Sequence, residues 1–164
     1  MGPDSSFGYR SLQAREAAIA TGLSFETLHV SSVAIDGRAV LIEGESGAGK
    51  SDLALRLIDR GAMLISDDYT LLQRAGGELI ASPPDTIAGK IEVRGLGLLP
   101  MPHVDKMPVA LLVHLTDSPQ RMPLADEVRR IAGIDIREVA IDPQSASAAI
   151  KVELALRHLA GAKA

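Results

Sequence analysis

Residues 39–58 read AVLIEGESGAGKSDLALRLI, an apolar run, a glycine-rich turn and an amphipathic run in immediate succession. No other stretch narrows the possible folds so far. The turn, Gly44, Glu45, Ser46, Gly47, Ala48, Gly49, Lys50 and Ser51, has the spacing G-x-x-x-x-G-K-[ST]. Its glycines permit a tight wrap in which successive backbone N–H groups converge on phosphate oxygens. A helix starting near Lys50 aims the positive end of its dipole at the same point. Lys50 can reach the terminal phosphates of a nucleotide, and Ser51 can ligate Mg²⁺. Strand, loop and helix in this order commit the chain to an α/β architecture.

The flanking residues add hairpins to that unit. TLHVSSVAID and RAVLIEG are two β-like runs joined by Asp36-Gly37, a dipeptide suited to a two-residue turn with positive φ. Leu53, Leu57 and Ile58 recur at helical spacing before Gly61, a natural helix stop. AMLIS reads as a buried strand that ends on Asp67 and Asp68, and YTLLQRAGGELIAS as a second hairpin turning at Gly76-Gly77. PPDTIAG is a loop, because adjacent prolines oppose both helix and central strand. KIEVRG predicts a short strand leading into an irregular LGLLPMPHVDKMP, and VALLVHL an interior strand. LADEVRRIAG predicts a helix, IREVAI a strand and SASAAIKVELALRHLA a closing helix, while RSLQAREAAIA predicts a short helix ended by Gly22. The expected fold is α/β, a mixed sheet with hairpins flanking the nucleotide loop. Residues 1–22 read as an N-terminal extension and 23–164 as one P-loop domain.

Composition removes several other function classes. With 46% apolar and 23% charged residues, the chain belongs with ordinary globular proteins. It has no cysteine, which excludes disulfide scaffolds and thiolate chemistry. A formal charge of −4 gives no reason to expect nucleic acid or an anionic membrane as partner. No apolar run reaches the ~18 residues of a membrane span, and no secretory signal pattern opens the chain, so the expected location is cytoplasmic.

Chemistry-bearing residues beyond the loop come next. Asp67 and Asp68 are adjacent at a strand end and point in different directions. One can serve Mg²⁺ while the other orients or deprotonates an attacking hydroxyl. Glu92 and Arg94 share a face if the strand runs through both. Glu92 can complete a metal shell and Arg94 can grip phosphate with its fork of donors. His29 sits beside the loop strand and can shuttle protons, although a lone histidine is more often structural. Arg121, Arg129 and Arg130 are candidates for an arginine that stabilises phosphate, set against a solvated helix face. His103, His114 and His158 show no metal-ligand spacing and carry no assigned role. These residues alone leave open a kinase, a small-molecule kinase or NTPase, and a non-catalytic nucleotide-dependent regulator.

Four segments in order resemble the catalytic domain of the HPr kinase/phosphorylase family. They are the His29 strand, GESGAGKS, the LISDD strand end and IEVRGLGLL. The resemblance is close over roughly residues 24 to 115 and holds in outline beyond. It implies a Mg²⁺-dependent protein-serine kinase that uses ATP, or pyrophosphate as an alternative donor, on the phosphocarrier HPr or a paralogue. It also implies the reverse reaction, in which inorganic phosphate removes the serine phosphate as pyrophosphate. Carried over by motif, residues 44–51 bind the donor, with Lys50 on its β-phosphate. Asp67 is the switchable acid and base, Ser51, Asp68 and Glu92 form the metal set, and His29 is the active-site histidine. Arg94 lies in the catalytic signature, and Arg130 (or its neighbour Arg129) matches a further catalytic arginine. The family assembles as homo-hexamers, and its short form, without an added N-terminal domain, occurs in alphaproteobacteria. One segment departs: where the family carries an Arg-Pro-Gly-Arg-Asn-like run associated with dephosphorylation, this chain has AIDPQSASAA. The kinase parts are thus matched more fully than the phosphorylase parts.

Overall fold

The computed structural model describes residues 24–123 and 125–161. In chain order its elements are β1 (Phe25–Leu28), β2 (Val30–Ile35), β3 (Arg38–Glu43), α1 (Lys50–Asp59), β4 (Met63–Ser66), β5 (Thr70–Ala75), β6 (Glu78–Ser82), β7 (Lys90–Val93), β8 (Gly97–Pro100), β9 (Met107–Leu115), β10 (Val128–Ile131), β11 (Ile134–Ile141) and α2 (Ala148–His158). The helix expected over residues 10–20 lies outside the described residues. The observed architecture is a mixed α/β fold, with a curled sheet and two helices among the described residues.

At its centre β11, β9 and β3 run parallel, with Val40 opposite Leu111, Leu41 opposite Leu112 and Ile42 opposite Val113. All six of these side chains are fully buried. Strands covered on both faces have no solvent side to fill, so they read as unbroken apolar runs. Alternation then deals the side chains to two cores. Val40, Ile42, Leu111 and Val113 meet Leu53 and Leu57 of α1 and Val152 and Leu156 of α2. Leu41 and Leu112 meet Leu72 of β5, Leu79 of β6 and Ile136 of β11 on the opposite face. β9 joins the two halves by changing partner along its length. Met107 and Pro108 pair antiparallel with β6, whereas the strand from Leu111 onward pairs parallel with β11.

The two expected hairpin turns form. Asp36 (φ 52°) and Gly37 (φ 76°) close the β2–β3 hairpin, and Gly76-Gly77 closes β5–β6. Four expectations are corrected. LADEVRRIAG is not a helix: Val128–Ile131 is β10, and Ala132 (φ 48°) and Gly133 (φ 84°) turn it back onto β11. The glycine that resembles a helix stop is the second residue of a hairpin turn. LGLLP is not irregular, because Gly97–Pro100 pairs with Lys90–Val93 as a two-stranded hairpin. The strand KIEV ends at Val93, so Arg94 opens a three-residue turn instead of continuing a strand face with Glu92. Finally, TLHVSSVAID is not one strand. The chain bends at His29, so that β1 pairs with β5 while β2 pairs with β3 and β4. No helix among the described residues is long and apolar enough to cross a membrane.

Candidate active site

The carboxyl ends of β3 and β4 bring the glycine-rich loop and the paired aspartates to one place. Within the loop Gly47 (φ 82°) and Gly49 (φ 106°) occupy the left-handed region that side chains disfavour. Gly49 ends as the αL residue preceding α1, and no side chain caps that helix. Its first N–H groups are therefore free of side-chain competition for an incoming anion. Lys50 is buried (7% exposed), and its Nζ donates to the carbonyl oxygens of Gly44 at 2.9 Å and Glu45 at 3.4 Å. Weak carbonyl acceptors of this kind are exchanged readily for phosphate oxygens.

Asp67 forms the floor of the site. It is only 6% exposed, and both of its oxygens accept hydrogen bonds. Oδ1 accepts from Ser51 Oγ at 2.6 Å and from Ser31 Oγ at 2.9 Å, while Oδ2 accepts from the Glu92 N–H at 2.9 Å. Three separate elements, α1, β2 and β7, thus fix one carboxylate. Asp68 follows in a strained turn: its φ is 70°, and the Tyr69 N–H closes onto the Asp67 carbonyl at 2.8 Å. This three-residue turn with positive φ is rare and costly for a residue with a side chain. Its effect is to send the two carboxylates apart.

Asp68 belongs to an exposed rim. Its Oδ1 lies 2.6 Å from His29 Nε2, and the His29 ring stacks on Tyr69 with centroids 4.8 Å apart. Ser31 ties rim to floor, because the Oγ that donates to Asp67 also accepts the Asp68 N–H at 3.1 Å. Glu92 contributes its backbone to the floor and leaves its side chain exposed, and Arg94 is exposed on the adjoining turn.

The metal expectation can be tested on the donor set. Ser51, Asp68 and Glu92 offer only hard oxygen donors, and among the described residues no three His, Cys, Asp or Glu side chains converge on a point. Mg²⁺ needs no such cage, since it keeps waters and is held by one or two carboxylates together with phosphate oxygens. The residues present suit that mode of binding. Of the arginine candidates, Arg130 pairs with Asp135 at 3.0 Å on an exposed face. Arg129 instead reaches Glu43, the residue just before the loop, at 2.6 Å and 2.8 Å. Sequence reading misses Ser31, Glu43 and His114. Ser31 leaves a signal: two consecutive serines interrupt an apolar strand, and both are fully buried. Buried hydroxyls require partners, and Ser31 finds Asp67 while Ser32 finds Thr70 Oγ1 at 2.8 Å.

The structure is a mixed α/β domain in which a glycine-rich loop leads into a helix and a buried aspartate is hydrogen-bonded to that helix's first turn. The family model described as HPr Serine kinase C-terminal domain matches residues 23–161. HPr kinase/phosphorylase from Bordetella pertussis is 38% identical, over 80% of this chain and 47% of that protein. The Alkaliphilus metalliredigens protein of the same name is 37% identical with the same coverage. The solved structure of Hpr(Ser) kinase/phosphatase from Coxiella burnetii aligns with a TM-score of 0.71 at 30% identity, covering 80% of this chain and 94% of that one. The chain belongs to the HPr serine kinase C-terminal domain family. It spans about half the length of the curated relatives it matches.

Proposed function

We propose that the chain is the catalytic unit of a protein-serine kinase. It transfers the terminal phosphoryl group of ATP to HPr or a similar phosphocarrier and runs the reverse phosphorolysis with inorganic phosphate. The observation that carries this reading is the 2.6 Å hydrogen bond from Ser51 to Asp67, which joins the donor loop to a buried acid. Joined to the loop, such an acid can fix Mg²⁺ and position water or take the proton of an acceptor hydroxyl, and the family match over residues 23–161 favours the second use.

In the forward direction the serine Oγ attacks the γ-phosphorus, and the bond from that phosphorus to the bridging oxygen of ADP breaks. The serine proton passes to an oxygen of Asp67. In the reverse direction an oxygen of inorganic phosphate attacks the phosphoserine phosphorus. The bond to the serine Oγ breaks, Asp67 returns the proton to that oxygen, and pyrophosphate leaves. Bound Mg²⁺ supplies neutralisation of the phosphate charge. Ser51, Asp68 and Glu92 are its proposed ligands. Lys50 turns from the Gly44 and Glu45 carbonyls to the donor phosphates, and the loop N–H groups orient them. Because alignment and charge supply most of the catalysis, one cradle serves both directions. His29 and Arg94 stand at the rim, where the acceptor enters.

The test uses the purified chain with labelled ATP, Mg²⁺ and HPr, followed by inorganic phosphate. Label is expected on a carrier serine and is then released with pyrophosphate. An unlabelled carrier sinks the kinase reading. ATP turnover that ignores the carrier points instead to an NTPase. Label that persists after phosphate addition removes the reverse reaction alone.

A further inference from the structure

Glu43 is the last residue of β3 and is bonded directly to Gly44 of the loop. Its carboxylate is half-buried and gripped from two other strands. Arg129 of β10 donates from Nη1 to Oε2 at 2.6 Å and from Nη2 to Oε1 at 2.8 Å. His114 of β9 places Nδ1 2.9 Å from Oε1. Arg129 also holds Glu138 of β11 through Nε at 3.0 Å. Four strands therefore meet in one polar cluster at the root of the loop. An isolated surface ion pair carries little meaning. This one is bidentate, shared among four groups and partly desolvated, which is the arrangement that fixes geometry.

The loop has little freedom to absorb a disturbance there. A Cβ at Gly44 would lie 3.0 Å from the Ala48 Cβ and 3.1 Å from the Leu115 Cβ, so this peptide is already wedged. Its carbonyl is also the nearer of the two that hold Lys50 Nζ. His114, Glu45, Thr116 and Gln144 line a groove of about 440 Å³ beside the loop. That groove opens at the carboxyl ends of parallel strands, where ligands of open α/β sheets bind.

We propose that Glu43 is a positioning residue for the donor: clamped by Arg129 and His114, it sets the Gly44 peptide on which Lys50 rests and couples the phosphate loop to the β10–β11 hairpin. The inference rests on the reading of residues 44–51 as the donor site. It assigns Arg129 to loop geometry, acting through Glu43.

The experiment measures KM for ATP and for HPr, kcat, ATP affinity by calorimetry, and Tm, in the full chain and in Glu43→Gln and Arg129→Lys. Glu43→Gln keeps the shape and loses the charge, and is expected to raise KM for ATP and weaken ATP affinity by about tenfold while KM for HPr stays unchanged. Arg129→Lys keeps the charge and loses the fork, and is expected to shift the same constants in the same direction by less. A lower Tm with both KM values unchanged would reduce the cluster to a stability feature and overturn the proposal. If Glu43→Gln does not fold, Arg129→Lys decides alone, and an unchanged KM for ATP overturns it. Failure of the underlying reading looks different: the wild-type chain binds neither ATP nor pyrophosphate, and the proposal falls with it.

Discussion

Asp67 and Asp68 are neighbours in sequence and opposites in setting. Asp67 is nearly sealed, with two serine hydroxyls and a backbone N–H on its oxygens, whereas the Asp68 side chain is 57% exposed and holds only one side-chain partner among its described bonds, His29. The buried floor has no freedom to reorganise, so its geometry is in place before any substrate arrives. The rim is open to solvent, with the His29 side chain 46% and the Asp68 side chain 57% exposed. A strained turn at Asp68 separates the two, and such strain persists only where the surroundings enforce it. Preorganisation and access are thus divided between adjacent residues.

The largest expected effect tests the floor. Asp67→Asn retains the shape and the capacity to accept from Ser51, but removes the proposed base. Phosphotransfer to HPr is expected to fall by about 10²- to 10⁴-fold. Calorimetric ATP affinity is expected to change little. Activity within a few-fold of wild type would place the proton acceptor elsewhere and erase the functional contrast between the two aspartates.

Ser31→Ala is next, because it removes one donor to Asp67 and the acceptor of the Asp68 N–H together. Leaving those groups short of partners costs about 1–3 kcal/mol, read as a lower urea midpoint or Tm. The phosphotransfer rate should drop with it. A variant with wild-type stability and rate would show that the floor is not held by Ser31. At the rim, Asp68→Asn should move stability by about 1 kcal/mol or less, since Asn tolerates positive φ and the His29 contact is exposed. Its expected signature is a higher Mg²⁺ requirement in the kinase assay. An unchanged Mg²⁺ titration would remove Asp68 from the metal set.

The floor was more legible in the sequence than its supports, and the reason is range. GESGAGKS, the Asp36-Gly37 turn and the apolar runs of β3 and β9 are local patterns whose meaning needs no knowledge of what packs against them. The contribution of Glu92 to the floor is a backbone N–H, which sequence does not display. Glu43 and Arg129 are 86 positions apart and meet only because β10 and β11 fold back beside β9. Reading LADEVRRIAG as a helix hid that meeting, since a helix would turn Arg129 through 100° steps instead of the two-sided alternation of a strand. Ala132 is the local source of the error. Alanine is an uncommon residue at φ 48°, so the two-residue turn there lacks the Asn-Gly or Asp-Gly signature that exposed the β2–β3 turn.

The smallest effect concerns the polar cluster behind the loop, and its sign follows from linkage. The hydrogen bonds from Arg129, and after burial's opposing effect the one from His114, hold the Glu43 carboxyl below its ordinary value of 4.5. The Arg129 guanidinium is correspondingly pushed up, chiefly by its hydrogen bonds to Glu43. A carboxylate with a depressed folded pKa contributes stability that is fully present above the unfolded value and is lost as pH falls through the folded one. Between pH 7 and pH 5 the contribution of the Glu43 carboxylate to Tm should therefore stay unchanged. Below pH 4.5 the wild-type chain loses this contribution, whereas Glu43→Gln, which has no carboxylate to protonate, has none to lose. The Tm difference between the two proteins should shrink as the medium becomes more acid. A difference that stays constant across that range would mean that the charge on Glu43 contributes nothing to holding β3, β9 and β10 together at the root of the loop.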